Sequence, residues 1–187
     1  MSNVAILASH NGSGFNALYE AQHKGILDIN INLIISNNTN AAVLQNAAKR
    51  NIDNFLINTK TQTNPDEAIY DLLKKYTCEF IFLSGYMKKL PAKITQEFKV
   101  LNSHPALLPN YGGAGMYGRY VHEAVIQNKE QKSGVTFHAV NEMYDDGEII
   151  LQKELVLVEN ETVDTLEEKI KALEAIAIIE GFALCLK

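Results

Sequence analysis

At 187 residues, with 47% hydrophobic and 21% charged side chains, the chain has an ordinary globular composition and the length of one domain. A net charge of −5 argues against general nucleic-acid binding. Cys78 and Cys185 are too few for a disulfide framework, and no apolar run reaches membrane-spanning length, so a cytoplasmic protein with reduced thiols is expected. Only Arg50 and Arg119 among the 17 basic residues are arginine, so an anion site must rely mostly on lysines and backbone amides.

Residues 3–8 (N-V-A-I-L-A) form a continuous apolar run bounded by polar residues, the pattern of a strand buried on both faces. Ser9-His-Asn-Gly-Ser-Gly14 follows, then a helical pattern over 15–24 with Phe15, Leu18 and Tyr19 at helical spacing. Strand, Gly-rich loop and helix start make the geometry in which free amides cradle a phosphate. The same residues also read as a tight turn with Ser13 capping the helix, and they are not the G-x-G-x-x-G dinucleotide fingerprint. Strands over 31–35, 55–57, 80–83 and 100–102 alternate with helices over 41–50, 65–75 (opened by Pro65) and 91–98. That alternation predicts right-handed crossovers onto a parallel sheet. Ligands of such sheets bind beyond the carboxyl ends of the strands, so the loops at Gly12–Gly14, at Gly85 and after residue 102 are expected to converge on one cleft. A helix over 119–128, strands over 133–140 and 148–156, and a helix over 163–186 with Thr162 as N-cap complete the chain.

The most informative stretch is Leu101–Gly118, L-N-S-H-P-A-L-L-P-N-Y-G-G-A-G-M-Y-G. Asn102 and His104 sit two apart, so on an extended segment their side chains share one face. An amide donor beside an imidazole suits the stabilisation of a developing oxyanion in acyl transfer. Four prominent features have plainer readings on their own. His122 reads as a packing or capping residue, and Asp145-Asp146-Gly147 as a turn. Lys88-Lys89 reads as a solvated pair, and Lys171/Glu174 as decoration of a helix surface. Cysteines and histidines lack metal-ligand spacing, so no metal is expected.

N-S-H-P-A-L-L-P resembles the active-site core of the folate-dependent formyltransferases. The G-G-A-G-M-Y-G-R-Y-V-H-E-A-V continuation resembles the branch that acts in purine synthesis, the phosphoribosylglycinamide formyltransferases or glycinamide ribonucleotide transformylases. The likeness runs from Asn3 to the last helix. It implies an α/β, Rossmann-like three-layer fold, a mostly parallel central sheet flanked by helices, with residues 1–187 as a single formyltransferase domain. It also implies formyl transfer from 10-formyltetrahydrofolate, a cosubstrate and not a bound cofactor, to the amine of glycinamide ribonucleotide.

The catalytic residues implied are Asn102, His104 and Asp145, the last selected over Asp146 because the family places its aspartate seven residues after the histidine matched by His138. The resemblance puts the substrate phosphate at Gly12, Ser13 and Gly14, where Gly14 replaces the usual Asn and keeps a backbone donor. Folate is implied at Tyr86, Met87, Lys88, Lys89 and Leu90 with Asn102 and His138; Lys88 stands where Arg is common. Lys171 and Glu174 match ribose-binding positions, although the segment after Glu174 departs from the family pattern. The L-L-P turn implies a cis Leu108–Pro109 bond. The partners implied are small molecules only, with neither nucleic acid nor membrane, for a monomer or homodimer. The alternatives are a formyltransferase for another small amine or a sugar nucleotide, and a non-catalytic folate- or anion-binding module.

Overall fold

The structure, a computed structural model, describes residues 1–187. It carries a seven-stranded sheet, mostly parallel and flanked by helices as the alternating pattern predicts, whose strands lie side by side in the order Asn54–Leu56, Ile29–Ser36, Ser2–Leu7, Phe80–Leu83, Lys99–His104, Lys132–Ala139 and Ile149–Val156. The chain divides into two compact units, 1–101 with 186, and 102–185 with 187.

The first unit contains β1 (Ser2–Leu7), α1 (Ser13–His23), β2 (Ile29–Ser36), α2 (Ala42–Lys49), β3 (Asn54–Leu56), α3 (Pro65–Lys75), β4 (Phe80–Leu83), α4 (Ala92–Glu97) and the start of β5 (Lys99–His104). β1 lies between β2 and β4 and is parallel to both, with Ile6 opposite Ile34 on one side and Phe82 on the other. Val4 through Ala8 are fully buried, which is why this run is apolar without alternation. α3 shows its end signals plainly. Asn64 accepts from the Glu67 amide, Pro65 opens the first turn, Asp66 and Glu67 follow, and Lys74 and Lys75 close the last turn.

One expectation fails here. Ser13 is the first residue of α1, not its cap; the cap position is Gly12, in the left-handed region at φ 64°, and no side chain caps the helix. A left-handed turn into the helix requires glycine and leaves the Ser13 hydroxyl no capping geometry.

The second unit holds the end of β5, α5 (Arg119–Gln127), β6 (Lys132–Ala139), β7 (Ile149–Val156) and α6 (Val163–Cys185). β6 and β7 are antiparallel, and their register slips between Phe137 and His138. Thr162 caps α6 by accepting from the Thr165 amide at 3.2 Å, as expected. α6 packs closely on β6: a Cβ on Gly181 would stand 2.3 Å from the Phe137 ring. Val125, Val135, Leu166, Ile170 and Ala177 form the core between these elements. The Leu108–Pro109 bond is cis.

Candidate active site

β5 carries Asn102 and His104 to its carboxyl end, and the 105–118 loop returns past them. Thr136, fully buried on β6, braces the start of that loop. Its hydroxyl donates to the Ala106 carbonyl at 2.7 Å and accepts from the Leu108 amide at 3.0 Å, while Gln152 donates to the Leu108 carbonyl at 2.9 Å. Further along, the Tyr111 hydroxyl donates to Glu130 at 2.6 Å and accepts from Asn128 at 2.9 Å.

His104 is 4% exposed. Its Nε2 lies 2.7 Å from the Tyr111 carbonyl, so Nε2 bears a proton. Nδ1 then faces Oδ2 of Asp145 at 3.6 Å. Asp145 Oδ2 also accepts from the Gly113 amide at 2.9 Å, and its backbone is in the left-handed region at φ 54°.

His138 completes the group. Its Nδ1 donates to its neighbour's carbonyl, Ala139 O, at 2.8 Å, which leaves Nε2 as the acceptor. Nε2 therefore receives the Asn102 amide nitrogen, 3.1 Å away, and this fixes the orientation of the Asn102 amide. Burial pushes the His138 imidazole below its ordinary range and keeps it neutral, despite Asp145 Oδ1 at 3.7 Å. The register slip beside His138 is the kind of irregularity that re-aims a side chain at a strand end. Asn102, His104, His138 and Asp145 are thus brought together, while Asp146 is exposed. A Cβ on Gly147 would meet the Ala139 carbonyl oxygen at 1.8 Å, so only glycine allows the 145–147 turn to close on β6.

The other predicted positions in the second unit do not form a pair. Lys171 is bound to Glu167 at 2.6 Å, and Glu174 receives the Ser103 hydroxyl. Ser103 was not legible as a site residue, although its place between Asn102 and His104 on a strand puts it on the opposite face. His122 is buried with an unpartnered Nδ1, which bears out packing.

In the first unit, the Gly12 and Ser13 amides find no partner within the chain, whereas the Gly14 amide donates to Ser84 Oγ at 3.0 Å. The backbone donor that Gly14 retains is therefore already occupied. Ser9 ties the Gly85 loop to the end of β1. Its hydroxyl accepts from the Met87 amide at 2.7 Å and donates to Asn37 at 2.6 Å, and its amide reaches the Gly85 carbonyl at 3.2 Å. A cavity of about 640 Å³ opens here, lined by Ser9, Asn37, Tyr86, Met87, Lys88 and Lys89 among others. Burial pushes the Tyr86 phenol up to about 12. Leu90, the last of the folate positions implied in this loop, is 5% exposed and packs its side chain inward.

A neutral imidazole, a second imidazole paired with a carboxylate and an oriented amide, gathered at a strand end of an α/β sheet, make up the build of an acyl-transfer enzyme. The chain belongs to the formyl transferase family, whose model matches residues 2–181. It is 34% identical over 179 residues to the phosphoribosylglycinamide formyltransferase of Haemophilus influenzae, covering 93% of this chain and 82% of that protein. It is 33% identical over 174 residues to the chloroplastic phosphoribosylglycinamide formyltransferase of Arabidopsis thaliana, covering 89% of this chain and only 59% of that protein's length. Among solved structures, that of phosphoribosylglycinamide formyltransferase from Bacillus halodurans superimposes with a TM-score of 0.90 at 28% identity, covering 100% of this chain and 96% of that one.

Proposed function

We propose that the chain transfers the formyl group of 10-formyltetrahydrofolate to the amine of glycinamide ribonucleotide, a step of purine biosynthesis in the cytoplasm. The observation that carries this reading is the grouping of Asn102 and Asp145 with the buried His104 and His138, in a chain matched by the family across 2–181. That span also supports reading residues 1–187 as one formyltransferase domain.

In this reading the amine attacks the formyl carbon and a tetrahedral oxyanion forms. Asn102 spends one amide hydrogen on His138 and has the second to give to the oxyanion. His104, fixed through Nε2 on the Tyr111 carbonyl, presents Nδ1 to Asp145 and supplies positive charge when protonated. Asp145 accepts, directly or through water, the proton leaving the amine. Collapse then breaks the bond to the folate nitrogen, which takes up a proton as tetrahydrofolate leaves. No metal enters these steps.

The substrate phosphate is assigned to the unpartnered amides of Gly12 and Ser13, next to Gly14. The folate is assigned to Tyr86, Met87, Lys88, Lys89 and the backbone of Leu90 with Asn102 and His138, and the ribonucleotide's hydroxyls to Glu174, near Lys171. The test is to incubate the protein with glycinamide ribonucleotide and 10-formyltetrahydrofolate and follow tetrahydrofolate release. Turnover with this pair is expected. Turnover with another amine and none with this one overturns the reading.

A further inference from the structure

β5 ends in three consecutive polar side chains that divide between two faces. Asn102 and His104 meet His138 and Asp145, while Ser103 between them points the other way. There the Ser103 hydroxyl donates to Oε1 of Glu174 on α6. Oε2 of Glu174 has no partner in the chain, and Lys171, the cation that acts on this carboxyl, is held by Glu167 at 2.6 Å. Burial raises the Glu174 carboxyl above its usual range, against the opposing pull of the Ser103 hydroxyl and Lys171. A partly buried carboxyl with one oxygen fixed by Ser103 keeps its second oxygen available as an acceptor beside the end of the site strand.

We propose that Ser103 is a positioning residue, locking Glu174 so that its free oxygen accepts a hydrogen bond from a hydroxyl of the amine-bearing substrate. This rests on the formyl-transfer reading above. It adds a division of labour along one strand: Asn102 and His104 serve the reacting carbonyl from one face, and Ser103 orients the acceptor substrate from the other. Glu174 suits a hydroxyl donor and repels a second anion, so the pair selects a polyhydroxylated group such as a sugar over a carboxylate. An apolar residue at 103 would leave the Glu174 side chain free to swing toward Lys171.

The test compares the parent, Ser103→Ala and Ser103→Thr in steady-state kinetics and in calorimetric binding of glycinamide ribonucleotide. Ser103→Ala is expected to raise both Kd and KM for the ribonucleotide about tenfold, the loss of one hydrogen bond to a charged group. The loss should be carried by KM more than by kcat, and KM for the folate should not move. Ser103→Thr, which keeps the hydroxyl, restores most of the affinity. Removing the hydroxyl also removes a contact that favours the Glu174 carboxylate, so the acid limb of ribonucleotide affinity moves to higher pH in Ser103→Ala. A merely structural defect would leave that limb in place. An analogue lacking the ribose hydroxyls should bind parent and Ser103→Ala alike. Equal ribonucleotide affinity in parent and Ser103→Ala, or an equal loss toward folate, overturns the proposal. A parent that binds the ribonucleotide without transferring formyl sinks the reaction reading and leaves the binding comparison decisive for Ser103. A parent that does not bind it overturns both.

Discussion

His104 and Asp145 face each other at 3.6 Å because the same short segment holds both: the Tyr111 carbonyl fixes His104 Nε2, and the Gly113 amide fixes Asp145 Oδ2. Neither grip uses a side chain of that segment. The pair therefore depends on backbone shape, including left-handed Tyr111 at φ 57°, more than on the chemistry of neighbouring residues.

Asp145 and Asp146 should differ sharply on substitution. Asp145→Asn keeps size and removes charge and proton affinity, so kcat should fall by about 10²–10⁴. Ribonucleotide binding should change little, since in the proposed reaction the carboxylate acts mainly in the transition state. Asp146 is exposed, and Asp146→Asn should behave like the parent. Steady-state kinetics of the two variants decide the matter; exchanged outcomes, or a nearly active Asp145→Asn, would remove Asp145 from its role.

Periodicity made the elements legible, because the buried strands and the capped α3 carry their signals locally. Asn102 and His104 were also legible, being two apart on one strand. Asp145 came only with the resemblance, since D-D-G by itself is a turn. What stayed hidden depends on contacts distant in sequence. Ser84 takes the Gly14 amide from 70 positions away, Ser103 meets Glu174 from 71, and Thr136 braces a loop 28 to 30 residues upstream. A serine or threonine in a strand announces none of these, because its hydroxyl has no periodic signature. Ser13 misled for the opposite reason: serine before a helix is the usual cap, and the left-handed Gly12 displaced it.

Thr136 gives a second test of how the loop is held. Thr136→Val keeps the shape and strips the hydroxyl, leaving the Leu108 amide and the Ala106 carbonyl without their buried partner. Unfolding by urea should show a loss of about 1–3 kcal/mol per group left unsatisfied. Thr136→Ser keeps the hydroxyl and should lie closer to the parent. Equal stability of the valine variant and the parent would show that water replaces the brace.

The buried imidazoles give the pH dependence its direction. Burial lowers the pKa of His122 and His138 from the ordinary 6.5. The unfolded chain therefore takes up protons that the folded chain refuses as pH drops below 6.5. Their contribution to stability is complete above that value and is lost as pH falls through the depressed folded pKa. Glu174, raised by burial, works in the opposite sense, being most favourable when protonated. His122 has no partner for Nδ1, so His122→Leu removes a titration without breaking a hydrogen bond at that atom. Denaturation midpoints of parent and variant between neutral pH and about pH 5 should show a shallower fall for the variant. Parallel curves would mean that His122 does not titrate in this window.

The turn into α1 makes the most specific claim about the substrate. Gly12 has φ 64°, and a Cβ there would stand 2.6 Å from Val43 Cγ2, so the turn excludes any side chain on two grounds. What it presents are the free amides of Gly12 and Ser13, with the Gly14 amide already bound to Ser84. Two amides at a helix start suit a phosphate dianion, and no other charged group of the ribonucleotide requires them. Inorganic phosphate should therefore inhibit formyl transfer competitively against glycinamide ribonucleotide and not against 10-formyltetrahydrofolate. Gly12→Ala should weaken ribonucleotide binding while leaving folate binding intact, because the strain and the clash fall on the turn that aims both amides. Releasing the Gly14 amide by Ser84→Ala should not substitute for them, since that amide would be left buried and unpaired. Phosphate competing with folate alone, or Gly12→Ala binding both substrates as the parent does, would move the anion site away from α1.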